Sequence, residues 1–462
     1  MLIPKTVLSN VIHAGLSEGA SFCEIYAEEN LSSLMKLKSS QTEYISGKDL
    51  GVGIRLFYGD EELYTYTNSL DEKSLLKALK SLVAGKKQRD FQKPLSKTPL
   101  TFPLTHEFPK EIKSDLNKEK NFLQKLDKEL RGDSLISQCY ITLNRIYKKV
   151  QIANSEGALT CDVRPYFSFH VQSIAEEGGR KEFGSKTVGQ TGESLFLNED
   201  LLKTTGRQSN KIALQNLKAE PAPAGKFPVI INKGFGGVIF HEACGHGMET
   251  TSVAKKMSVF SDKLGKKVAS SCVTAFDDGT LQGQYGSIAR DDEGRPSQKT
   301  CLIEKGILKN YMADRLGAQK TSYNVTGSAR RQNYKFPPTS RMRNTYIDAG
   351  KSSLKEIIQD IDCGLFAETL GGGSVSPGTG NYNFSVTSAR LIKKGRLDRS
   401  VKGASLVGNG LDTLSKISKV GKDLELAPGN CGSISGWVPV TVGQPPILVS
   451  ELTVGGQKKG RD

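Results

Sequence analysis

The sequence of 462 residues has no long hydrophobic run. A membrane-spanning helix needs an uninterrupted apolar stretch of roughly 18 residues, and none occurs. The N-terminus also lacks the continuous apolar segment of a secretion signal. Its apolar residues fall instead at positions 3, 7, 8, 11, 12 and 16, the spacing of an amphipathic helix. These absences predict a soluble, cytoplasmic protein with no membrane partner.

Paired cysteines and basic blocks are missing as well. The eight cysteines are scattered, with no Cys-x-x-Cys pair, so we expect reduced and mostly buried thiols. The formal net charge is +15, but lysine and arginine are interleaved with acids along the chain and no basic-aromatic motif occurs. We therefore expect no nucleic-acid partner, and a basic nucleic-acid-binding protein is only a weak alternative hypothesis.

The first half of the chain alternates between helical and strand patterns. The first helix is expected to end near Gly19, followed by a strand at ASFCEIYAEEN and a hairpin or meander broken by GK and GDEE turns. Ser69 and Glu72 have the spacing of a capping box before a helix that Gly85 closes. A further helix is expected to stop at Gly132, and residues 135–195 have the alternation of antiparallel hairpins.

A proline-rich connector and the segment PAPAG divide the chain. Four prolines, Pro94, Pro99, Pro103 and Pro109, interrupt the region near 90–110, where the first half could split into two subdomains. PAPAG at 221–225 marks the main boundary. We predict an α+β fold: residues 1–222 form an N-terminal mixed α/β domain with hairpins, and residues 223–462 form a mostly antiparallel, barrel-like β domain that carries a metal-site helix.

The segment HEACGHGMET contains two of the five histidines of the chain, His241 and His246, with Glu242 directly after the first. The zinc-peptidase pattern His-Glu-x-x-His has one residue fewer between its histidines. On a regular α-helix, residues five apart are about 140° from each other around the axis and cannot bind one ion. The pair can form a metal site only if the backbone is irregular. We expect either a wide turn with i→i+5 bonding or a helix end between Glu242 and His246. The glycines nearby favour such a change, because glycine tolerates unusual backbone angles.

Zinc fits these residues best among metals, since imidazole and thiolate are borderline-soft ligands. A catalytic zinc has three protein ligands and one open position for water, so the two histidines leave one ligand to be found. The candidates are Cys244, Glu249 or a residue far away in the sequence. Cys244 lies within the same short turn, which makes its convergence with both histidines strained, and a small buried thiol is the simpler interpretation.

The sequence resembles the TldD/PmbA family of metallopeptidases, specifically its metal-bearing TldD-like branch. The resemblance is carried by HEACGHGMET, VTAFDDGT, GSARRQNYKFPPTSRMRNTYIDAG, FAETLGGGSVSPGTGNYNFSVTSARLIKKG, VKGASLVGNG and CGSISGWVPVTVGQPPILVSELTVGG. It is dense from about residue 227 onward and looser before. The resemblance implies that His241, His246 and Cys431 bind one zinc ion per chain and that Glu242 is catalytic.

The resemblance also implies a substrate class and an assembly. Family members are associated with hydrolysis of modified peptides and small unfolded proteins, and they form homodimers or heterodimers with a metal-less relative. We therefore expect a zinc-dependent peptidase that hydrolyses extended or unfolded peptides. The alternative is a non-catalytic assembly or chaperone-like subunit that binds peptide and uses zinc structurally; Glu242 and the open coordination position favour the enzyme.

Overall fold

The computed structural model of the chain describes residues 1–84, 115–192, 198–376 and 378–456. The first half is built on one sheet with the strand order β3-β2-β1-β4-β5-β6, antiparallel throughout. Its strands are β1 (Phe22–Lys38), β2 (Gln41–Tyr58), β3 (Glu61–Thr67), β4 (Ile136–Asn154), β5 (Leu159–Glu177) and β6 (Arg180–Thr191). Its helices are α1 (Lys5–Ser17), α2 (Glu72–Val83), α3 (Leu116–Leu130) and α4 (Glu199–Leu217).

All four helices cover one face of this sheet. The apolar residues at odd positions of β1 point to that face, because successive strand side chains alternate between faces. Near the start of β1 they pack against α1 and α2, and near its end they pack in the cluster that contains α3 and α4. Within the described residues, no helix is both long and apolar enough to span a membrane.

The opposite face of the sheet carries buried polar groups, which contact the second half of the chain. Glu24 and Glu28 are each at most 1% exposed. Glu24 pairs with Arg331, whose Nη2 donates to its Oε1 at 2.8 Å, and the Arg331 guanidinium lies 4.1 Å from the centre of the Tyr26 ring. Arg331 also donates from its backbone to Asp292. This charged interface fixes the first half against the second.

The second half contains a six-stranded sheet and a barrel. The sheet has the order β11-β10-β9-β14-β21-β20, and five strands close the barrel in the order β15-β8-β22-β18-β16 through a β15–β16 pairing. The strands are β7 (Glu220–Pro221), β8 (Gly225–Ile231), β9 (Ala275–Asp278), β10 (Lys299–Glu304), β11 (Ile307–Leu308), β12 (Ala329–Arg330), β13 (Thr339–Ser340), β14 (Asn344–Ile347), β15 (Cys363–Ser376), β16 (Asn381–Lys393), β17 (Arg396–Lys402), β18 (Ala404–Asn409), β19 (Ile417–Val420), β20 (Glu425–Ser433), β21 (Gly436–Gln444) and β22 (Ile447–Gly455).

Short helices connect these strands, and one of them lies between the barrel and the sheet. The α-helices are α5 (Val238–Ala243), α6 (Thr250–Val253), α7 (Arg315–Thr321), α8 (Leu354–Gln359) and α9 (Gly410–Ser415), with 3₁₀ turns at Gly234–Gly237 and Gly245–Met248. Helix α5 contacts β15 and β16 of the barrel and β14 and β21 of the sheet. The predicted fold class is therefore confirmed: α+β, with hairpins in the first half and a mostly antiparallel, barrel-containing second half.

Two local predictions were wrong. The expected GK turn is absent, because Gly47 pairs with Ser32 inside a continuous β1–β2 ladder whose length outweighs the local turn preference. The N-cap of α2 is Asp71, which accepts from the Ser74 amide at 2.9 Å, so Ser69 lies outside the helix and forms no capping box with Glu72. Gly85 and the predicted proline connector lie outside the described residues, and the division into domains at 222/223 stays a prediction.

Arg331→Met tests the charged interface between the two halves. The Arg331 and Glu24 side chains are 0% and 1% exposed, and removing one partner of a buried ion pair typically costs about 3–5 kcal/mol because the other charge stays buried. We expect a clear fall in the melting temperature measured by calorimetry. The control Lys335→Met removes an exposed pair with Asp49, whose side chains are 44% and 41% exposed; surface pairs contribute about 0–1 kcal/mol. Equal melting temperatures for the two variants would show that the interface does not depend on this pair.

Candidate metal centre

The backbone around HEACGH changes conformation at Cys244. Helix α5 ends at Ala243, and Cys244 leaves helical geometry at φ −127° and ψ −48°. The chain then makes the 3₁₀ turn Gly245–Met248, which contains His246. The backbone irregularity predicted between Glu242 and His246 is confirmed. Of the two expected alternatives, the structure has the helix end and not the wide turn. Because the helix ends, His246 is not held about 140° away from His241.

Helix α5 approaches strand β21 very closely at its N-terminus. A Cβ atom added to Gly237 would lie 2.5 Å from the backbone oxygen of Gly443, well inside van der Waals contact. Glycine at 237 therefore lets the helix that carries His241 and Glu242 lie directly on β21. Strand β21 pairs in turn with β20, the strand that carries Cys431, so this contact sets the distance between the histidines and the cysteine.

Cys431 is held by a hairpin that a buried arginine fixes. Cys431 pairs with Val438 across the β20–β21 ladder. Arg341 is fully buried and donates from Nη2 to the Cys431 carbonyl at 2.6 Å, and from Nη1 to Ser435 Oγ and the Gly436 carbonyl at 2.9 and 2.8 Å. One guanidinium thus ties the strand to the hairpin tip. Arg341 could not be identified from the sequence, because nothing in RMRNTY distinguishes a buried arginine from a surface one.

The structure brings His241, His246 and Cys431 together. One ligand atom from each lies within 4.8 Å of the others, and His246 Nε2 is 3.2 Å from Cys431 Sγ. The two imidazole centres are 5.4 Å apart with their planes at 84°. His241 and Cys431 are each 1% exposed, and the His246 side chain is 12% exposed. Residues 185 positions apart in sequence therefore form one shielded cluster that could hold a metal ion.

The hydrogen bonding of His241 fits a metal ligand. Both of its ring nitrogens are buried, and neither has a hydrogen-bond partner among the described residues. Buried polar atoms are normally paired, since an unpaired one costs about 1–3 kcal/mol. A cation held between the three side chains would give His241 the partner that the protein does not supply.

The charges around the cluster favour a thiolate at Cys431. Burial alone would raise the pKa of the Cys431 thiol, but interaction with the imidazoles of His241 and His246 holds that pKa well below its usual value. Burial lowers the pKa of His246, whereas Glu249 and Cys431 together raise it well above its ordinary value. The thiolate is the form of cysteine that binds metals.

The two other third-ligand candidates occupy different positions. Cys244 is 1% exposed within the apolar core of the second half, and burial raises its pKa far above the ordinary value; it is the small buried thiol that we expected. Glu249 Oε2 lies 3.1 Å from His246 Nδ1, the nitrogen on the far side of the ring from Cys431. All eight cysteines are free thiols.

Glu242 lies at the open side of the cluster. Its Oε2 is 3.6 Å from His246 Nε2, and its side chain is 30% exposed, in contrast to the buried ligand atoms. Being directly after His241 on α5, the carboxylate reaches both the cluster and solvent. The carboxylate is therefore the part of the cluster most open to solvent.

The fold and the cluster together define a class: a β-rich protein of two packed halves with a candidate metal centre between a broken helix and a β-hairpin. Family comparison agrees with this class. The models of the PmbA/TldA metallopeptidase match in three parts: domain 1 at residues 23–85, the central domain at 109–217 and the C-terminal domain at 224–456. The chain belongs to the TldD/PmbA family of metallopeptidases.

Individual relatives are similar over most of the chain. A metalloprotease TldD homologue of Buchnera aphidicola is 37% identical over 421 residues, 88% of this chain and 87% of the relative. A metalloprotease of Methanocaldococcus jannaschii is 31% identical over 437 residues, covering 92% and 95%. A protein of Saccharolobus solfataricus named a zinc metalloprotease TldD homologue is 25% identical, covering 95% and 97%.

Solved structures share the fold. A Thermotoga maritima protein superposes with a TM-score of 0.78 at 18% identity, covering 97% of this chain and 99% of its own. TldE from Thermococcus kodakarensis superposes with a TM-score of 0.75 at 18% identity, covering 97% and 100%. At this identity the likeness establishes the architecture alone.

Gly237→Ala tests the contact that positions α5. The added Cβ would lie 2.5–2.7 Å from backbone atoms of Gly443, and overpacking of this kind typically costs about 1–3 kcal/mol. We expect a lower melting temperature and weaker metal binding by equilibrium dialysis, because α5 must move away from β21. The control Gly372→Ala places its Cβ in open space, with nothing within 4 Å, and should match wild type. Unchanged metal binding in Gly237→Ala would contradict the role given to this contact.

Proposed function

We propose that the protein is a zinc-dependent peptidase that hydrolyses extended or unfolded peptides, with His241, His246 and Cys431 as the zinc ligands and Glu242 as the general base. One observation carries the proposal: two imidazoles and a cysteine converge within 4.8 Å, with a partly exposed glutamate against the same cluster. The names of the curated relatives, metalloproteases in each case, support the same activity.

Zinc suits this donor set. A thiolate and two neutral imidazoles are characteristic zinc ligands, and three protein ligands leave one coordination position for water. Bound there, zinc would supply Lewis-acid polarisation of the scissile carbonyl and a water of lowered pKa. His241 contributes a nitrogen that has no other partner among the described residues, and Cys431 contributes a buried sulfur 3.2 Å from His246 Nε2.

Glu242 would move the proton. Its Oε2 is placed 3.6 Å from His246 Nε2, near enough to the cluster to accept a proton from the attacking water. The same oxygen can then deliver that proton to the nitrogen of the leaving amine. The Glu242 side chain is 30% exposed, so the carboxylate is open to water and substrate.

An extended peptide is the substrate that the surrounding sheet suits best. Strand β20 carries Cys431 and ends the strand order of its sheet, pairing only with β21 among the described strands. A peptide can add to such an edge through main-chain hydrogen bonds, with little selection by side chains, on the part of β20 that follows Pro428, since Pro428 itself packs against Gly189 of β6. Membership of the TldD/PmbA family implies a dimer, either of two copies of this chain or with a metal-less relative.

Cys431→Ser tests the ligand assignment. Replacing the thiolate with a hydroxyl removes the soft ligand that zinc prefers, so we expect the variant to lose most of its zinc on dialysis while wild type retains one zinc per chain. Cys363→Ser, at an exposed free cysteine, should retain zinc. Full zinc occupancy in Cys431→Ser would show that Cys431 is not a ligand.

Glu242→Gln separates chemistry from binding. The amide has the same size and cannot accept the proton, and loss of a general base typically lowers the rate about 10²- to 10⁴-fold. We expect that loss in hydrolysis of an unfolded peptide substrate, with zinc content and melting temperature near wild type. Glu304→Gln, at an exposed glutamate paired with Lys309, should cleave normally. Wild-type protein that binds zinc and peptide without cleaving would support a non-catalytic binding subunit instead.

A further inference from the structure

We propose that Glu249 is a positioning residue for the metal centre: it orients His246 so that Nε2 faces the metal, and it balances the net positive charge of the loaded site. The inference deepens the proposed function and rests on it, because it assumes that the cluster holds zinc. It assigns a role to a carboxylate that is neither a ligand nor the general base.

The 3₁₀ turn places Glu249 beside His246. Side chains three residues apart are eclipsed in a 3₁₀ helix, and the turn Gly245–Met248 leads directly into Glu249. As a result Glu249 Oε2 lies 3.1 Å from His246 Nδ1, while His246 Nε2 lies 3.2 Å from Cys431 Sγ. With Nδ1 donating its proton to the carboxylate, Nε2 is left with a free lone pair directed at the cluster. A carboxylate on the far nitrogen of a ligand histidine fixes both the tautomer and the ring.

The backbone around Glu249 is fixed by a neighbouring segment. The Thr250 amide donates to the Met312 carbonyl at 2.8 Å, and the Met312 amide donates to the Met248 carbonyl at 2.9 Å. Glu249 therefore sits between two hydrogen bonds to the same residue. Its side chain is 3% exposed, so the carboxylate cannot swing to solvent and holds the imidazole in one orientation.

A purely structural ion pair does not account for this carboxylate. Among the described residues, no lysine or arginine pairs with Glu249, and His246 is the one ionisable side chain within ion-pair distance of it. Its second oxygen, Oε1, is buried without a hydrogen-bond partner. A buried carboxylate with one unpaired oxygen is costly, and a stable fold alone would favour an apolar or amide side chain here. The cost is explained if the centre beside it carries positive charge.

The zinc-loaded site would carry the positive charge that explains a buried carboxylate beside it. Zinc(II) with one thiolate and two neutral imidazoles carries a net charge of about +1, and the Glu249 carboxylate lies buried against the ring of one of these ligands. Glu242 is partly exposed, so water can screen its charge and it is not needed to balance this positive charge.

The test is the zinc dissociation constant, measured by competition with a chromophoric chelator, for wild type, Glu249→Ala, Glu249→Gln and the control Glu119→Gln. Loss of such an orienting carboxylate typically weakens metal affinity about 10- to 100-fold, and we expect that loss in Glu249→Ala. The zinc affinity of Glu249→Gln should lie between those of wild type and Glu249→Ala, since the amide oxygen can still accept from Nδ1 but carries no charge. Glu119 is a buried glutamate paired with Arg145, and its variant should bind zinc as wild type does.

A second readout reports orientation directly. In ¹⁵N-histidine spectra of the zinc-loaded protein, wild type should show His246 with a slowly exchanging Nδ1–H, and Glu249→Ala should lose that protection while remaining folded. Wild-type zinc affinity in either Glu249 variant, or an equal loss in Glu119→Gln, would overturn the proposal. Should Glu249→Ala fail to fold, Glu249→Gln decides the question by the same criterion. Absence of zinc binding in wild type would instead overturn the proposed function.

Discussion

The close contact between Gly237 and Gly443 is the constraint on which the candidate centre depends. Any side chain at 237 would collide with the backbone of β21, so the two glycines set the closest distance between helix α5 and the sheet. Because β21 also pairs with β20, the contact brings His241 on one side within reach of Cys431 on the other. The helix end at Ala243 then allows His246 to turn toward the same point.

Buried charge holds the scaffold around this point. Arg341 fixes the hairpin of Cys431 through three hydrogen bonds, and Arg331 joins the second half to Glu24 of the first-half sheet. Arginine suits both positions because its planar guanidinium makes several directed hydrogen bonds and stays charged. In each case the cost of burying a charge is offset by partners on different segments, so these arginines join parts of the chain that are far apart in sequence.

The sequence predicted the local features of the centre better than the long-range ones. The five-residue spacing of His241 and His246 requires a backbone irregularity, and the structure has one. Helix and hairpin patterns predicted most elements of the first half, although the β1–β2 ladder continues through the expected turn at Gly47. Cys431 could not be found from spacing, since 185 residues separate it from His246 and the third ligand was left open on residue chemistry; only the family resemblance indicated it. The buried roles of Arg331 and Arg341 were missed because local sequence does not show which arginines tertiary contacts will bury.

Glu249 illustrates the same limit. Its sequence position made it a candidate ligand, but the 3₁₀ turn directs its carboxylate to the far nitrogen of His246. The most direct test of the account is X-ray absorption at the zinc edge of the purified wild-type protein. We predict that zinc has one sulfur neighbour at about 2.3 Å and nitrogen or oxygen neighbours at about 2.0–2.1 Å. A zinc shell without sulfur would contradict it, because Cys431 would then not be a ligand and the convergence of helix end and hairpin would not form the metal site.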